Sequence, residues 1–242
     1  MFGLRAQRNR GGKDEAEKPF WISFSDLMTA LMVLFLVAMA VALMAVTQVT
    51  QKLAENKKKE QVRQETISSC MVDIDSLTKG EEFKGITIRG YSIEFGTLAE
   101  FKNDDHRLER DQERFIRTFV PRVLEVARHK SCEQWLKRVI VEGFASQVGS
   151  YLYNLNLSFL RSQRVLCALL DSQAQDALSL DDRKQIRILF LAGGSSFNTV
   201  SNSPAQMRRV ELKLEFRDLN ADKELPREIP WDEDAKCPND SR

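Results

Sequence analysis

The chain has 242 residues, 43% of them hydrophobic, with 36 basic against 35 acidic side chains. That is room for one domain of ordinary size plus a membrane segment, and the near-balanced charge gives no electrostatic case for a direct nucleic-acid partner. The four cysteines, Cys70, Cys132, Cys167 and Cys237, form no CxxC pair and are accompanied by two histidines, which speaks against a zinc site and leaves buried thiols or disulfides open.

Residues 1–18 are short and polar, with basic and acidic side chains mixed. The organising stretch follows, an apolar helix expected over Pro19–Val46. Pro19 suits a first helical turn, and Phe20 and Trp21 suit a membrane interface. From Leu27 to Val46 twenty consecutive residues carry no charge, and Thr29 is the sole polar side chain among them. At about 1.5 Å per residue this spans roughly 30 Å, a bilayer core. Ala38-Met39-Ala40 resembles a cleavage site, but the apolar run continues past it, so an anchor is expected and not a cleaved leader.

One acid, Asp26, lies near the start of this helix, about two turns in from Pro19. A carboxylate inside such a helix costs on the order of 3 kcal/mol on insertion scales, so it normally faces a bundle interior and marks an ion path. The alternative is a shallow acid near the headgroups with a structural role. Ser25 and Thr29 flank Asp26, Thr29 on nearly the same face. Met28, Met32, Phe35 and Met39 recur at helical spacing and are expected to pack against a partner helix. Basic residues occur on both sides of the span, so the positive-inside rule leaves orientation open.

Residues 47–79 contain no Gly or Pro and read as a polar helical continuation, then a looser tether, giving a linker over 47–80. Ile86 and Ile88, then Tyr91, Ile93 and Phe95, alternate with polar residues as a hairpin would. A helix follows with Phe115, Ile116, Phe119, Val120, Val123, Leu124 and Ala127 on one face, and Pro121 should kink or restart it. Leu136–Phe144 reads as a buried strand. A second helix over about 150–172 should bury Leu152, Leu155, Phe159, Leu166 and Leu169. Ile186–Leu191 reads as a strand, Gly193-Gly194 as the start of a polar loop reaching Pro204, and Val210 to Phe216 as an alternating strand. Residues 218–242 are acidic and Pro-bearing, as an extended tail would be. The sum is an α+β domain over 81–217. No nucleophile–base motif, metal spacing or phosphate loop is present, so neither an enzyme nor a cofactor is expected.

Two motifs identify a family resemblance. Phe20-Trp21-Ile22-Ser23-Phe24-Ser25-Asp26-Leu27-Met28-Thr29 resembles the membrane signature of MotB, the flagellar stator subunit, whose tryptophan likewise precedes a proton-carrying aspartate by five residues. Val141-Glu142-Gly143, then Tyr153-Asn154-Leu155-Asn156-Leu157-Ser158-Phe159-Leu160-Arg161, then Arg208-Arg209-Val210-Glu211, resembles the OmpA-like peptidoglycan-binding domain. The wording of the membrane stretch is most similar to MotB-like subunits of anti-phage defence systems; a flagellar-type stator subunit and a passive cell-wall anchor are the alternatives. The resemblance implies a single-pass protein of the inner membrane, N-terminus cytoplasmic and OmpA-like domain periplasmic. It also implies a homodimer within a ring of MotA-like subunits, with ions, protons by analogy, passing Asp26. Tyr153, Asn154, Leu157 and Arg161 take the peptidoglycan-binding positions. One departure stands out: Ser146 occupies the place where the family pattern has an aspartate that helps hold the diaminopimelate of the peptide stem. Arg161 could still clamp a ligand carboxylate by a two-pronged hydrogen-bonded pair. A periplasmic domain would also hold at least one pair of the four cysteines oxidised.

Overall fold

The computed structural model describes residues 14–197, 207–221 and 237. The chain divides into two compact units, 1–59 and 60–242. A single helix, α1 (Asp14–Leu77), contributes to both. It begins five residues before Pro19, so this proline does not open it.

In the first unit α1 is one helix, and from Trp21 to Lys59 every side chain is exposed. It is long and apolar enough to cross a membrane. An isolated helix with so wide an apolar surface needs lipid or protein on all sides. Its outer turns become polar after Val46, and Lys59 pairs with Glu55 one turn away at 2.7 Å.

The second unit starts inside the helix. The expected loose tether is absent: α1 continues without a break to Leu77, and Ile67, Cys70 and Ile74 are buried. Their i, i+3, i+7 spacing makes one stripe facing the domain. Cys70 is joined to Cys132, Ser131 Oγ donates to the Asp73 carboxylate at 3.2 Å, and Arg63 Nη1 donates to the Arg217 carbonyl at 3.0 Å. The compact domain therefore begins near Glu60, about twenty residues before the expected boundary at Glu81.

A five-stranded sheet in the order β1-β2-β5-β3-β4 forms the body, from β1 (Thr87–Arg89), β2 (Ser92–Glu94), β3 (Leu136–Gly143), β4 (Phe190–Gly194) and β5 (Val210–Phe216). The expected hairpin is present as β1–β2, turning at Gly90, whose φ of 61° suits glycine. β3 pairs parallel with β4 and antiparallel with β5. Helices α2 (Arg110–Ala127), α3 (Lys130–Glu133), α4 (Tyr151–Leu170) and α5 (Leu180–Leu189) complete the α+β fold. Ile93, Val139, Val141, Val210, Leu212 and Leu214 face the helices, and Phe83, Phe95, Phe115 and Phe119 form an edge-to-face cluster beneath α2.

Three expectations are corrected. α2 does not restart at Pro121 but runs through it as one helix; the missing N–H leaves the Arg117 carbonyl without its helical donor, and burial of Phe119, Val120, Val123 and Leu124 around the proline offsets the loss. Ile186 to Leu189 are helical, not extended: Ser179 caps α5 by accepting from the Asp182 N–H at 3.1 Å, and the strand begins only at Phe190. A short apolar run across a helix–strand junction carries no period of its own. On α4, Leu152 and Phe159 lie outward, 74% and 42% exposed, while Leu169 is buried. The second disulfide joins Cys167 on α4 to Cys237. The strand expected at Val210–Phe216 stands; the loop expected up to Pro204 and most of the tail lie outside the described residues.

Candidate functional sites

The membrane-segment site is built by the helix period alone. At about 100° per residue, Thr29 lies some 60° from Asp26, while Met28, Met32, Phe35 and Met39 cluster near the opposite side. Val46, Val49 and Leu53, separated by polar residues, continue that second side outward. Asp26 and the Met/Phe stripe therefore lie on two different sides of the helix. Thr29 Oγ1 donates to the Ser25 carbonyl, so the hydroxyl proton is used within the helix and only its oxygen lone pairs remain for an outside partner. Trp21 and Phe24 meet edge to face at 6.5 Å.

The domain site gathers where β3 ends. Gly143 closes β3 directly under α4: a Cβ there would lie 1.9 Å from the Ser158 carbonyl oxygen. Ser150 caps α4 by accepting from the Tyr153 N–H at 3.3 Å. Asn154, 1% exposed, donates Nδ2 to the Val148 carbonyl at 3.0 Å and so holds the loop before the helix. Leu157 is buried beside it.

Arg161 is also 1% exposed. Its Nε donates to the Asp105 carbonyl at 2.9 Å, Nη1 to the Phe144 carbonyl at 2.7 Å and Nη2 to the Lys102 carbonyl at 3.1 Å. The guanidinium stacks 5.2 Å from the Phe101 ring. Burial, reinforced by nearby Arg208, pushes its pKa down to about 10, with Asp105, Asp104 and Tyr153 opposing. It is a three-way staple between β3, α4 and the loop 101–109.

Of the four α4 positions singled out in the sequence, Tyr153 alone is exposed. Its hydroxyl donates to the Asp104 carboxylate, which holds the phenol pKa above its usual value. Asp104 sits at φ 59°, a conformation that asparagine and aspartate tolerate better than most. Neighbouring Asp105 is held down to about 2 by the Arg107 guanidinium. Ser146 is buried, 8% exposed. Nothing in the sequence singled out the loop 101–109. Its polar run Lys102-Asn103-Asp104-Asp105-His106-Arg107 has no period to tie it to α4.

Among the described residues these features define a class: a protein with one helix long and apolar enough to cross a membrane, bearing an acid near its start, continued into an α+β domain. Comparison with known proteins then narrows it. A family model described as the membrane MotB of the proton-channel complex MotA/MotB matches residues 5–61. The Zorya protein ZorB of Escherichia coli O139:H28 (strain E24377A / ETEC) is 39% identical over 234 residues, covering 95% of this chain and 92% of that one. The chain belongs to the ZorB family. Among solved structures, the OmpA-like domain of FopA1 from Francisella tularensis subsp. tularensis SCHU S4 is similar at 21% identity and TM-score 0.34, over 55% of this chain and 82% of that one. The cell wall anchor of the T6SS from Pseudomonas aeruginosa is similar at 17% and 0.35, over 55% and 90%.

Proposed function

We propose that this chain is the MotB-like subunit of an ion-driven rotary complex of the inner membrane, anchored to peptidoglycan and acting in anti-phage defence. The observation that carries the reading is the placement of Asp26 on the side of α1 opposite the Met28–Met39 stripe. Two copies packed through the stripes direct both acids outward, toward a surrounding ring of MotA-like, here ZorA-like, subunits. A carboxylate neutralised by an arriving ion and recharged on its departure changes which arrangement of ring and helix is favoured. One elementary charge moved through the field gains about 2.3 kcal/mol per 100 mV, enough to bias a step. Protons are the proposed ion, and Ser25 and Thr29 line the approach to Asp26.

The domain supplies the fixed point. It is placed in the periplasm, where the Cys70–Cys132 and Cys167–Cys237 disulfides persist. Peptidoglycan is proposed to bind at the wall built by Tyr153, Asn154, Leu157 and Arg161, where Tyr153 reaches solvent and the other three set the wall's shape. The role is non-enzymatic and needs no cofactor.

Cells carrying wild-type chain or Asp26→Asn, together with the neighbouring membrane subunit, test the reading. Asn matches the size and polarity of Asp but cannot alternate between charged and neutral states. The expected outcome is normal co-purification with the partner and complete loss of phage protection. A passive anchor would instead tolerate the substitution, since it removes a costly charge; full protection by an assembled Asn variant overturns the proposal.

A further inference from the structure

The two glutamates of the Val-Glu-Gly and Arg-Arg-Val-Glu motifs play no part in the sites described above, yet the sheet places them side by side. Glu211 of β5 is the register partner of Glu142 on β3 and, across its other edge, of Glu94 on β2. Strand alternation turns all three to the face away from Leu212 and Val141. Side chains directly opposite on neighbouring strands stand about 5 Å apart, and like charges there repel. The middle carboxylate is the sheltered one, with Glu211 6% exposed.

Among the described residues three cations stand around the row, at unequal range. Arg209 grips Glu211 Oε1 with Nε at 2.7 Å and Nη2 at 2.6 Å. Lys213 stands 4.0 Å from Glu142, and Arg89 is 3.4 Å from Glu94 with its side chain 81% exposed. The Ser195 hydroxyl donates to Glu142. Of the three carboxylates, Glu211 has its cation at 2.6 Å, while the cations of Glu94 and Glu142 stand farther off. Burial and the two neighbouring glutamates push the Glu211 carboxyl above its ordinary range, against the pull of Arg209.

Arg209 is also where the row meets the domain site. Its carbonyl accepts from the Phe144 N–H at 3.0 Å, and its guanidinium lies 4.6 Å from the Phe144 ring. Next to it, the Arg208 carbonyl accepts from the Phe101 N–H at 2.8 Å, and Arg208 Nε donates to the Phe101 carbonyl at 3.0 Å. Phe101 and Phe144 are the same two residues that Arg161 holds from the other side.

We infer that Glu94, Glu211 and Glu142 form one proton-sharing row, and that a proton gained by the row loosens its hold on Arg209 and with it the Arg208–Arg209 turn that fixes Phe101 and Phe144. The row is a pH-responsive latch on the wall of the domain site, whatever that site binds. With Glu211 ionised, Arg209 is fixed by a charge-assisted pair. With Glu211 protonated, its O–H is a donor that a neighbouring carboxylate accepts, and the attraction to Arg209 falls.

The test is a pH titration of the full-length chain in detergent micelles, with glutamate carboxyl carbons and arginine Nε labelled for NMR. Glu94→Gln, Glu142→Gln and Glu211→Gln assign the signals. The row predicts that Glu211 titrates above the ordinary glutamate range and that Glu94→Gln and Glu142→Gln each move its midpoint down. It further predicts that the Arg209 Nε signal shifts with the same midpoint. A Glu211 midpoint in the ordinary range, or one indifferent to both neighbours, overturns the inference, as does an Arg209 signal that stays flat through the Glu211 titration. Should Glu211→Gln not fold, wild type and the two outer variants are enough to decide between these outcomes.

Discussion

At the scale of single residues, the domain depends on groups that look like ligand-binding side chains in the sequence and act as fasteners in the structure. Arg161→Ala would remove the Arg161 donors from the carbonyls of Asp105 and Phe144 and leave the Lys102 carbonyl with the Asp105 N–H at 3.3 Å; a buried group left unsatisfied, as at Phe144, costs about 1–3 kcal/mol. Arg161→Ala should therefore lower the thermal unfolding midpoint before any binding is assayed, and Arg161→Lys should rescue little, because an ammonium lacks the planar fork. An unchanged midpoint for both would deny the fastening role. Gly143→Ala is the sharper case. Its new methyl would sit within 1.9 Å of the Ser158 carbonyl, and overpacking of this kind costs about 1–3 kcal/mol or more. The Glu-Gly pair was legible in the sequence as a motif, but the reason for its glycine was not, since Ser158 lies fifteen residues away on another element.

Two carboxylates give opposite pH signatures. Asp105, held down to about 2 by Arg107, contributes stability that is present above its unfolded pKa and lost as pH falls toward about 2. The Arg107 side chain is 67% exposed, so this contribution is screened to about 1 kcal/mol or less. Glu211, held up by burial, contributes stability that is present at low pH and lost as pH rises from the ordinary glutamate range through its folded pKa. Urea midpoints of Asp105→Asn and Glu211→Gln relative to wild type, measured between about pH 2 and pH 8, should therefore move in opposite directions. Asp105→Asn should lose most at neutral pH and converge on wild type in acid. Glu211→Gln should gain on wild type as pH rises.

At the scale of elements, the helix that leaves the membrane segment is part of the domain it was expected to tether loosely. The Cys70–Cys132 bridge closes a loop with a sequence separation of 62, for which chain entropy gives stabilisation on the order of 4 kcal/mol. A Cys70→Ser, Cys132→Ser double variant should unfold at a markedly lower denaturant concentration, and its 60–77 amides should exchange hydrogen faster than the core strands. Uniform exchange across both would mean that burial of Ile67 and Ile74 suffices without the bridge. The strands and α2 were legible because their apolar periods are long and unmixed, as in Val210 to Phe216. The α5–β4 junction was not, because Ile186 to Leu191 changes period midway. The outward Leu152 and Phe159 were misjudged because their spacing fits a buried stripe as well as an exposed one, and the sheet decides which side α4 presents.

At the scale of the whole molecule, an acid in an apolar helix and a domain with a cell-wall-binding pattern were both readable in order along the chain, because each rests on local residue type and spacing. What could not be read was how the domain's wall is assembled from α4, the end of β3 and the loop 101–109, which are distant in sequence. That assembly changes how the wall interaction should be probed. Tyr153→Phe and Asp104→Asn alter exposed groups and leave the Arg161 staple in place, so they should weaken retention of the full-length protein on isolated peptidoglycan without lowering its unfolding midpoint. Retention equal to wild type would move the binding site elsewhere on the domain.

The central claim is that Asp26 carries ions, and flux measures it most directly. The complex of this chain with its ring subunits, reconstituted in vesicles holding a pH-sensitive dye, should acidify the lumen when an inward proton gradient and potential are imposed. The same complex with Asp26→Asn, matched in amount and assembly, should fall to the rate of empty vesicles. Equal acidification by the two complexes would contradict the account, because a carboxylate that passes no proton leaves α1 an anchor and nothing more.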